Sequence, residues 1–120
     1  MGRRAWIAVF ALFAAASTAS SAPEPLTVDV YPRVMQAGEW ASVRLRMEPD
    51  ALSRRLQITW LSDEGAGGLH RRDVQGERAP VRTEFPLKHL EPGEYEIVVE
   101  VARADGSTVR RRTSIVVLPR

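Results

Sequence analysis

From Ala41 to Met47 the chain reads Ala-Ser-Val-Arg-Leu-Arg-Met, apolar at every second position, with Arg44 and Arg46 between. A β-strand points successive side chains to opposite faces, so this segment buries one face and wets the other. The same period of two recurs along the chain. Residues 26–31 alternate and stop at Pro32, and residues 56–60 alternate up to a loop, 62–68, that holds three glycines. Residues 69–74 are a weaker, charged candidate. Val81, Thr83, Phe85 and Leu87 form an inward set interrupted by Pro86; Tyr95, Ile97, Val99 and Val101 form another, with Glu96 and Glu100 outward. Val109, Thr113, Ile115 and Val117 complete the series. Seven such segments in about 100 residues predict an all-β, seven-stranded antiparallel sandwich. The one helix-like piece, 50–55, is about one turn and predicts only a connection.

The last hairpin fixes its own register. A two-residue turn at Asp105-Gly106 would set Val101 against Arg110 and put arginines in the core. A three-residue loop, Ala104-Asp105-Gly106 with Gly106 left-handed, sets Val101 against Val109, Ile97 against Thr113 and Tyr95 against Ile115. Glu100 then faces Arg110 on the outside. Arg111 is the misfit, turned inward opposite Val99, and needs either a bulge or a side chain that snorkels past the edge.

The N-terminus does not share this pattern. Arg3-Arg4 precede a 12-residue apolar run, residues 5–16, followed by small residues up to Pro23. A positive start, a short apolar run and small residues at a cut site describe a secretory signal peptide. The run is too short to span a bilayer, which takes about 20 residues. Residues 1–22 are therefore assigned to the signal peptide and cleavage region, and 23–120 to one domain. Cleavage after Ala19 is favoured over Ala22, because Pro23 is a poor first residue. The arginine pair partly resembles a twin-arginine signal, but the fuller motif is missing and the general secretory route is favoured.

Removing that segment alters the charge. The whole chain has 17 Lys+Arg and 15 Asp+Glu, for a net +2. Arg3 and Arg4 account for the excess, so the mature chain is neutral. A nucleic-acid partner loses its support, since phosphate binding needs clustered positive charge. The basic residues are all Arg except Lys88, and Asn is absent, a skew that implies a GC-rich, bacterial coding sequence. Cysteine is absent as well, which removes disulfides, thiolate nucleophiles and Cys-ligated metals.

Three features together resemble the immunoglobulin-like / fibronectin-III-like superfamily of sandwiches. Trp60 lies in the third strand between inward positions. Leu90-Glu91-Pro92-Gly93-Glu94-Tyr95 resembles the corner before the sixth strand, where Tyr95 would bury its ring and send its hydroxyl to backbone. The hairpin around Asp105-Gly106 is the third. Trp60, Gly93, Tyr95, Asp105 and Gly106 are thus expected structural residues. The stretch Asp73-Val74-Gln75-Gly76-Glu77-Arg78-Ala79-Pro80, followed by the Pro-Gly-Glu-Tyr corner, also resembles small secreted bacterial Ig-like proteins of unassigned function. The inter-sheet disulfide of antibody domains is missing, so the core must hold without one.

No motif for chemistry emerges. His70 and His89 lack metal-ligand spacing, have arginine or lysine neighbours and are expected in solvated loops. Ser62, Asp63 and His70 can be drawn as a triad, but no nucleophile elbow frames them. Catalytic, cofactor and metal residues are accordingly expected to be none. Arg54-Arg55, Arg71-Arg72 and 110–112 are expected to pair with acids; Arg71 and Arg72 also suit protection of an edge strand. Trp40 shares the outer phase with Ser42 and Arg44; it is expected to fold over the sandwich end, with a binding surface as the other reading. Leu61 is a second apolar residue in an outward phase. Tyr31, Trp60, Phe85 and Tyr95 are expected inside. The candidate interaction residues are Trp40, Leu61, Arg71 and Arg72. The expected function is an exported, non-enzymatic module, periplasmic or extracellular, that contacts another envelope or extracellular protein and keeps no membrane anchor after cleavage. The alternative is a carbohydrate-binding module, which needs exposed aromatics beyond Trp40.

Overall fold

The computed structural model describes residues 25–120. The signal-peptide assignment of 1–22 lies outside the described residues. Eight strands run in order: β1 (Leu26–Tyr31), β2 (Val34–Gln36), β3 (Ala41–Met47), β4 (Ser53–Ser62), β5 (Gly67–Asp73), β6 (Arg82–Leu87), β7 (Gly93–Arg103) and β8 (Thr108–Leu118). A single 3-10 turn, Gly76–Arg78, links β5 to β6. One sheet has the order β1-β3-β6 and the other β2-β8-β7-β4-β5. The chain crosses between the sheets after β1, β2, β3, β5 and β6, while β4–β5 and β7–β8 are hairpins within the larger sheet, an arrangement consistent with an immunoglobulin-like sandwich.

The alternation read from sequence is the burial observed. Ala41, Val43, Leu45 and Met47 are buried along β3, and Tyr95, Ile97, Val99 and Val101 along β7. Ile58, Ile97, Val99 and Val43 are fully enclosed. Removing aliphatic surface from water on both inner faces holds the two sheets together, with no covalent tie between them.

The hairpin register is the one the turn chemistry demands. Val101 pairs with Val109, Ile97 with Thr113 and Tyr95 with Ile115. Gly106 has φ 88°, and Arg103 N–H donates to the Ser107 carbonyl at 2.9 Å across the three-residue loop. Arg110 meets Glu100 at 2.7 Å on the outer face. Arg111 sits opposite Val99 in an unbroken ladder, so no bulge corrects it. Arg111 is half-buried, and its Nη1 donates to the Arg110 carbonyl at 2.7 Å; β2 covers only the end of β8, from Val116 to Leu118, and leaves the upstream half of β8 as an edge.

The structure corrects four expectations. Among the described residues there are eight strands, not seven; β2 is a three-residue strand beyond Pro32 that pairs parallel to β8 and buries Met35. The 50–55 segment is not a helical turn: Asp50 Oδ1 accepts from Leu52 N–H at 2.9 Å, and the chain enters β4 at Ser53, with a register shift between Ser53 and Arg55. Tyr31 points outward, 65% exposed, because Leu26 and Val30 take the buried phase of β1 and the next residue takes the other. His70 lies in β5 rather than in a loop. Pro86 is accommodated because β6 is an edge strand.

Candidate functional site

The side chains singled out from sequence fall on three separate surfaces. Leu61 and Arg71 share the outer face of the five-stranded sheet. Arg72 lies on the flank between the two sheets. Trp40 lies on the opposite side of the molecule, outside the three-stranded sheet.

The outer five-stranded face is built in ladder rows. One row runs Leu69–Thr59–Val98–Arg112, and its neighbour runs Gly67–Leu61–Glu96–Ser114. Leu61 is 54% and Leu69 51% exposed. The next row, Arg71–Gln57–Glu100–Arg110, is polar throughout, and Arg71 Nε donates to Gln57 Oε1 at 3.3 Å. Ion pairs border the apolar patch: Arg110 to Glu100 at 2.7 Å and Arg112 to Glu96 at 3.5 Å. Arg55 faces Asp73 at 3.9 Å at the far end. Arg55, Arg110 and Arg112 thus meet acids as expected, whereas Arg54 donates to the Ala51 carbonyl and Arg71 and Arg72 donate to Gln57 and Thr83 instead; at these exposures each ion pair contributes under about 1 kcal/mol. Leu61, Thr59, Val98 and Val116 floor a shallow concavity of 740 Å³ whose walls carry Glu96 and Arg112. Leu69 and Val98 were not among the sequence candidates. Their signal was available, as outward positions in rows with Thr59, but only once the β4–β5 register was known.

The flank between β5 and β6 holds an aromatic stack. Trp60 and Phe85 are only half-buried, their centroids 5.5 Å apart, and His70 lies on Phe85 at 4.6 Å. Trp60's ring covers Gly68, where an added Cβ would come within 2.6 Å of it. Arg72 Nη2 donates to the Thr83 hydroxyl at 3.3 Å, bridging the two edge strands. Arg71 and Arg72 therefore stand on an edge strand, where charge opposes further strand pairing.

Ser62 is buried, and its hydroxyl oxygen accepts from Ala66 N–H at 3.0 Å, closing the β4–β5 turn. It stands four ladder steps from the Ile58–His70 pair, about 13 Å at strand rise. Ser62, Asp63 and His70 thus do not assemble a nucleophile and base. His89 is an exposed residue at φ 59° in the β6–β7 connection. Among the described residues, no three His, Asp or Glu side chains converge as metal ligands. No helix among them is long and apolar enough to cross a membrane.

Among the described residues, the surroundings of Tyr95 and Asp105 shift their pKa values from the ordinary ones. Tyr95 is buried, its hydroxyl donates to the Glu91 carbonyl at 2.9 Å, and burial raises its pKa. This is the tyrosine corner expected at the Pro-Gly-Glu-Tyr segment, with Gly93 at φ 148° opening β7. Asp105 accepts from the Ser107 hydroxyl at 2.6 Å and from its N–H at 2.9 Å, which lowers its pKa.

Trp40 does not fold over the sandwich end. It is 63% exposed, with Lys88 Nζ 5.9 Å from its ring centroid. The reason is phase: Trp40 keeps the outward alternation of β3, and Ala41 below it takes the core position.

No protein-family model matches the chain, and no curated protein matches its sequence. Its fold is similar to solved structures. A superoxide reductase (neelaredoxin) from Ignicoccus hospitalis superposes with TM-score 0.64 at 14% identity, covering 78% of this chain and 80% of that one. The sulfur carrier protein SoxY from Chlorobium limicola gives 0.58 at 16% identity, covering 87% and 92%. CopC from Methylosinus trichosporium gives 0.52 at 19% identity, covering 78% and 94%. At these identities the likeness is one of fold, and function has to be argued from the site.

Proposed function

We propose that the protein is an exported, non-enzymatic immunoglobulin-like module that binds another envelope or extracellular protein through the outer face of its five-stranded sheet. The observation that carries this reading is the pairing of Leu61 and Leu69 beside Val98, two large apolar side chains more than half exposed inside a border of opposite charges. An apolar centre within a polar rim is the anatomy of a protein-binding patch. Aliphatic surface left in water there gains free energy only when a partner covers it. The signal-peptide pattern of residues 1–22 supports export.

The test is a photo-cross-linking residue placed at position 61 in the native host, with position 107, in the far hairpin loop, as the reference. One discrete protein adduct is expected from position 61 and none from 107, and Leu69→Asp should abolish it. No adduct at position 61, or the same adducts from both positions, would refute the reading.

A further inference from the structure

The outward residues of the three-stranded sheet differ in kind from those of the five-stranded one. Across 27–31, 42–46 and 82–86, no Leu, Ile, Val or Met points outward. The apolar surface of that face consists of two aromatic rings, Tyr31 and Trp40, together with Pro86. Tyr31 and Pro86 lie on either side of Ser42 in one ladder row, and Trp40 precedes Ser42 by two residues in the same phase. Ser42 is small and half-buried, so it forms the floor between taller neighbours.

Each ring carries a cation. Arg44 Cζ is 5.5 Å from the Tyr31 centroid, and Lys88 Nζ is 5.9 Å from that of Trp40. Arg44 is partly compensated by Glu84 at 3.5 Å. Among the described residues, no carboxylate lies within ion-pair distance of Lys88.

These features select a ligand by its chemistry. What this face offers is two exposed aromatic rings and, among the described residues, an ammonium without an acid partner, in place of aliphatic surface. A flat pyranose ring presents polarised C–H bonds that suit the negative face of an aromatic ring. Its hydroxyls suit those of Tyr31 and Ser42. A neutral sugar would leave Lys88 unmatched, whereas a uronate carboxylate makes a charge-assisted hydrogen bond to it. We infer that the outer face of the three-stranded sheet is a binding site for uronic-acid oligosaccharides, with Trp40 and Tyr31 stacking on sugar rings and Lys88 holding a carboxylate. This site is on the opposite side of the molecule from Leu61, so it stands or falls independently of the protein-binding reading.

Calorimetric titration of the purified protein with oligogalacturonate, a neutral cello-oligosaccharide of equal length and dextran sulfate tests it. Oligogalacturonate is expected to bind at least about tenfold tighter than either control, and more weakly in about 0.5 M NaCl. Trp40→Ala and Lys88→Ala should each weaken it about tenfold. Both side chains are exposed, so unchanged melting temperatures will show that the variants fold. Leu61→Asp should leave this affinity unchanged. Absence of binding, equal binding of the neutral oligomer or of dextran sulfate, or indifference to Trp40→Ala would overturn the inference.

Discussion

Tyr95 is the residue whose role is most tightly specified. Its hydroxyl donates to Glu91 across the corner while the ring fills the core. Tyr95→Phe keeps the ring and loses that bond, so chemical denaturation should show a loss of about 1 kcal/mol. Its pH dependence has a definite sign. Burial raises the folded pKa above the ordinary tyrosine value near 10, so the folded protein holds the proton that the unfolded chain releases. The contribution is complete below about pH 10 and is lost as pH rises through the raised value. Tyr95→Phe should flatten that alkaline fall. Gly68 is specified by proximity instead: a methyl group there would meet the Trp60 ring at 2.6 Å. Gly68→Ala should therefore tip the indole outward, red-shift its emission and cost about 1–3 kcal/mol. The first of these residues was legible, because Pro-Gly-Glu-Tyr is a local pattern with a known geometry. The contact of Trp60 with Gly68 was not, because it depends on which residue of β5 pairs with Trp60. Tyr31 was misplaced for a simpler reason: an aromatic at a strand end looks like core until its phase is counted from Leu26 and Val30.

At the scale of elements, turn chemistry carried more information than periodicity. Only a three-residue loop kept Arg110 and Arg112 out of the core opposite β7, at the cost of turning Arg111 inward, and that single steric argument set the pairing from Tyr95 to Val109. Gly106 makes the loop possible at φ 88°, with open space where a Cβ would go. The expected cost of Gly106→Ala is therefore backbone strain alone, about 1 kcal/mol by thermal unfolding. Asp105 adds an acid limb. Its folded pKa is held down by Ser107, so its stabilising contribution is present above the unfolded value near 3.9 and is lost as pH falls through the lowered one. Asp105→Asn should make the melting temperature less sensitive to pH in that window. β2 escaped detection because three residues cannot show a period, and its partner, β8, lies some eighty residues away in sequence. β5 read weakly because an edge strand is charged by necessity. Replacing Arg71 and Arg72 together with valine should make the strand look more regular and the protein less soluble, with light scattering rising during refolding.

At the scale of the molecule, the two sheets present outer faces of different chemistry on one shared core. Ile58 is inside and Leu61 outside the same strand, so Ile58→Ala should cost about 2–5 kcal/mol while Leu61→Asp stays within about 0.5. The core and the sandwich were legible because burial writes itself into every second residue. The outer faces were less so, because solvent tolerates many side chains and only adjacency makes Leu61 with Leu69, or Tyr31 with Trp40, one patch. The charge of the whole follows the same division. Across the described strands, acids and arginines face each other: Glu100 with Arg110, Glu96 with Arg112, Glu84 with Arg44. The excess of two basic residues in the full chain belongs to Arg3 and Arg4. A chain that keeps them has a sequence pI of about 9.7. Cleavage after Ala19 or Ala22 leaves equal numbers of Lys+Arg and Asp+Glu, so the formal net charge falls from +2 to zero. A chain cleaved there should therefore focus near pH 7, roughly two to three pH units below the uncleaved chain. Isoelectric focusing of protein recovered from the host envelope and medium, beside the full chain made without export, will show the two species. A single band at the basic position in both samples would contradict the assignment of residues 1–22, and with it the argument that the mature surface is charge-balanced.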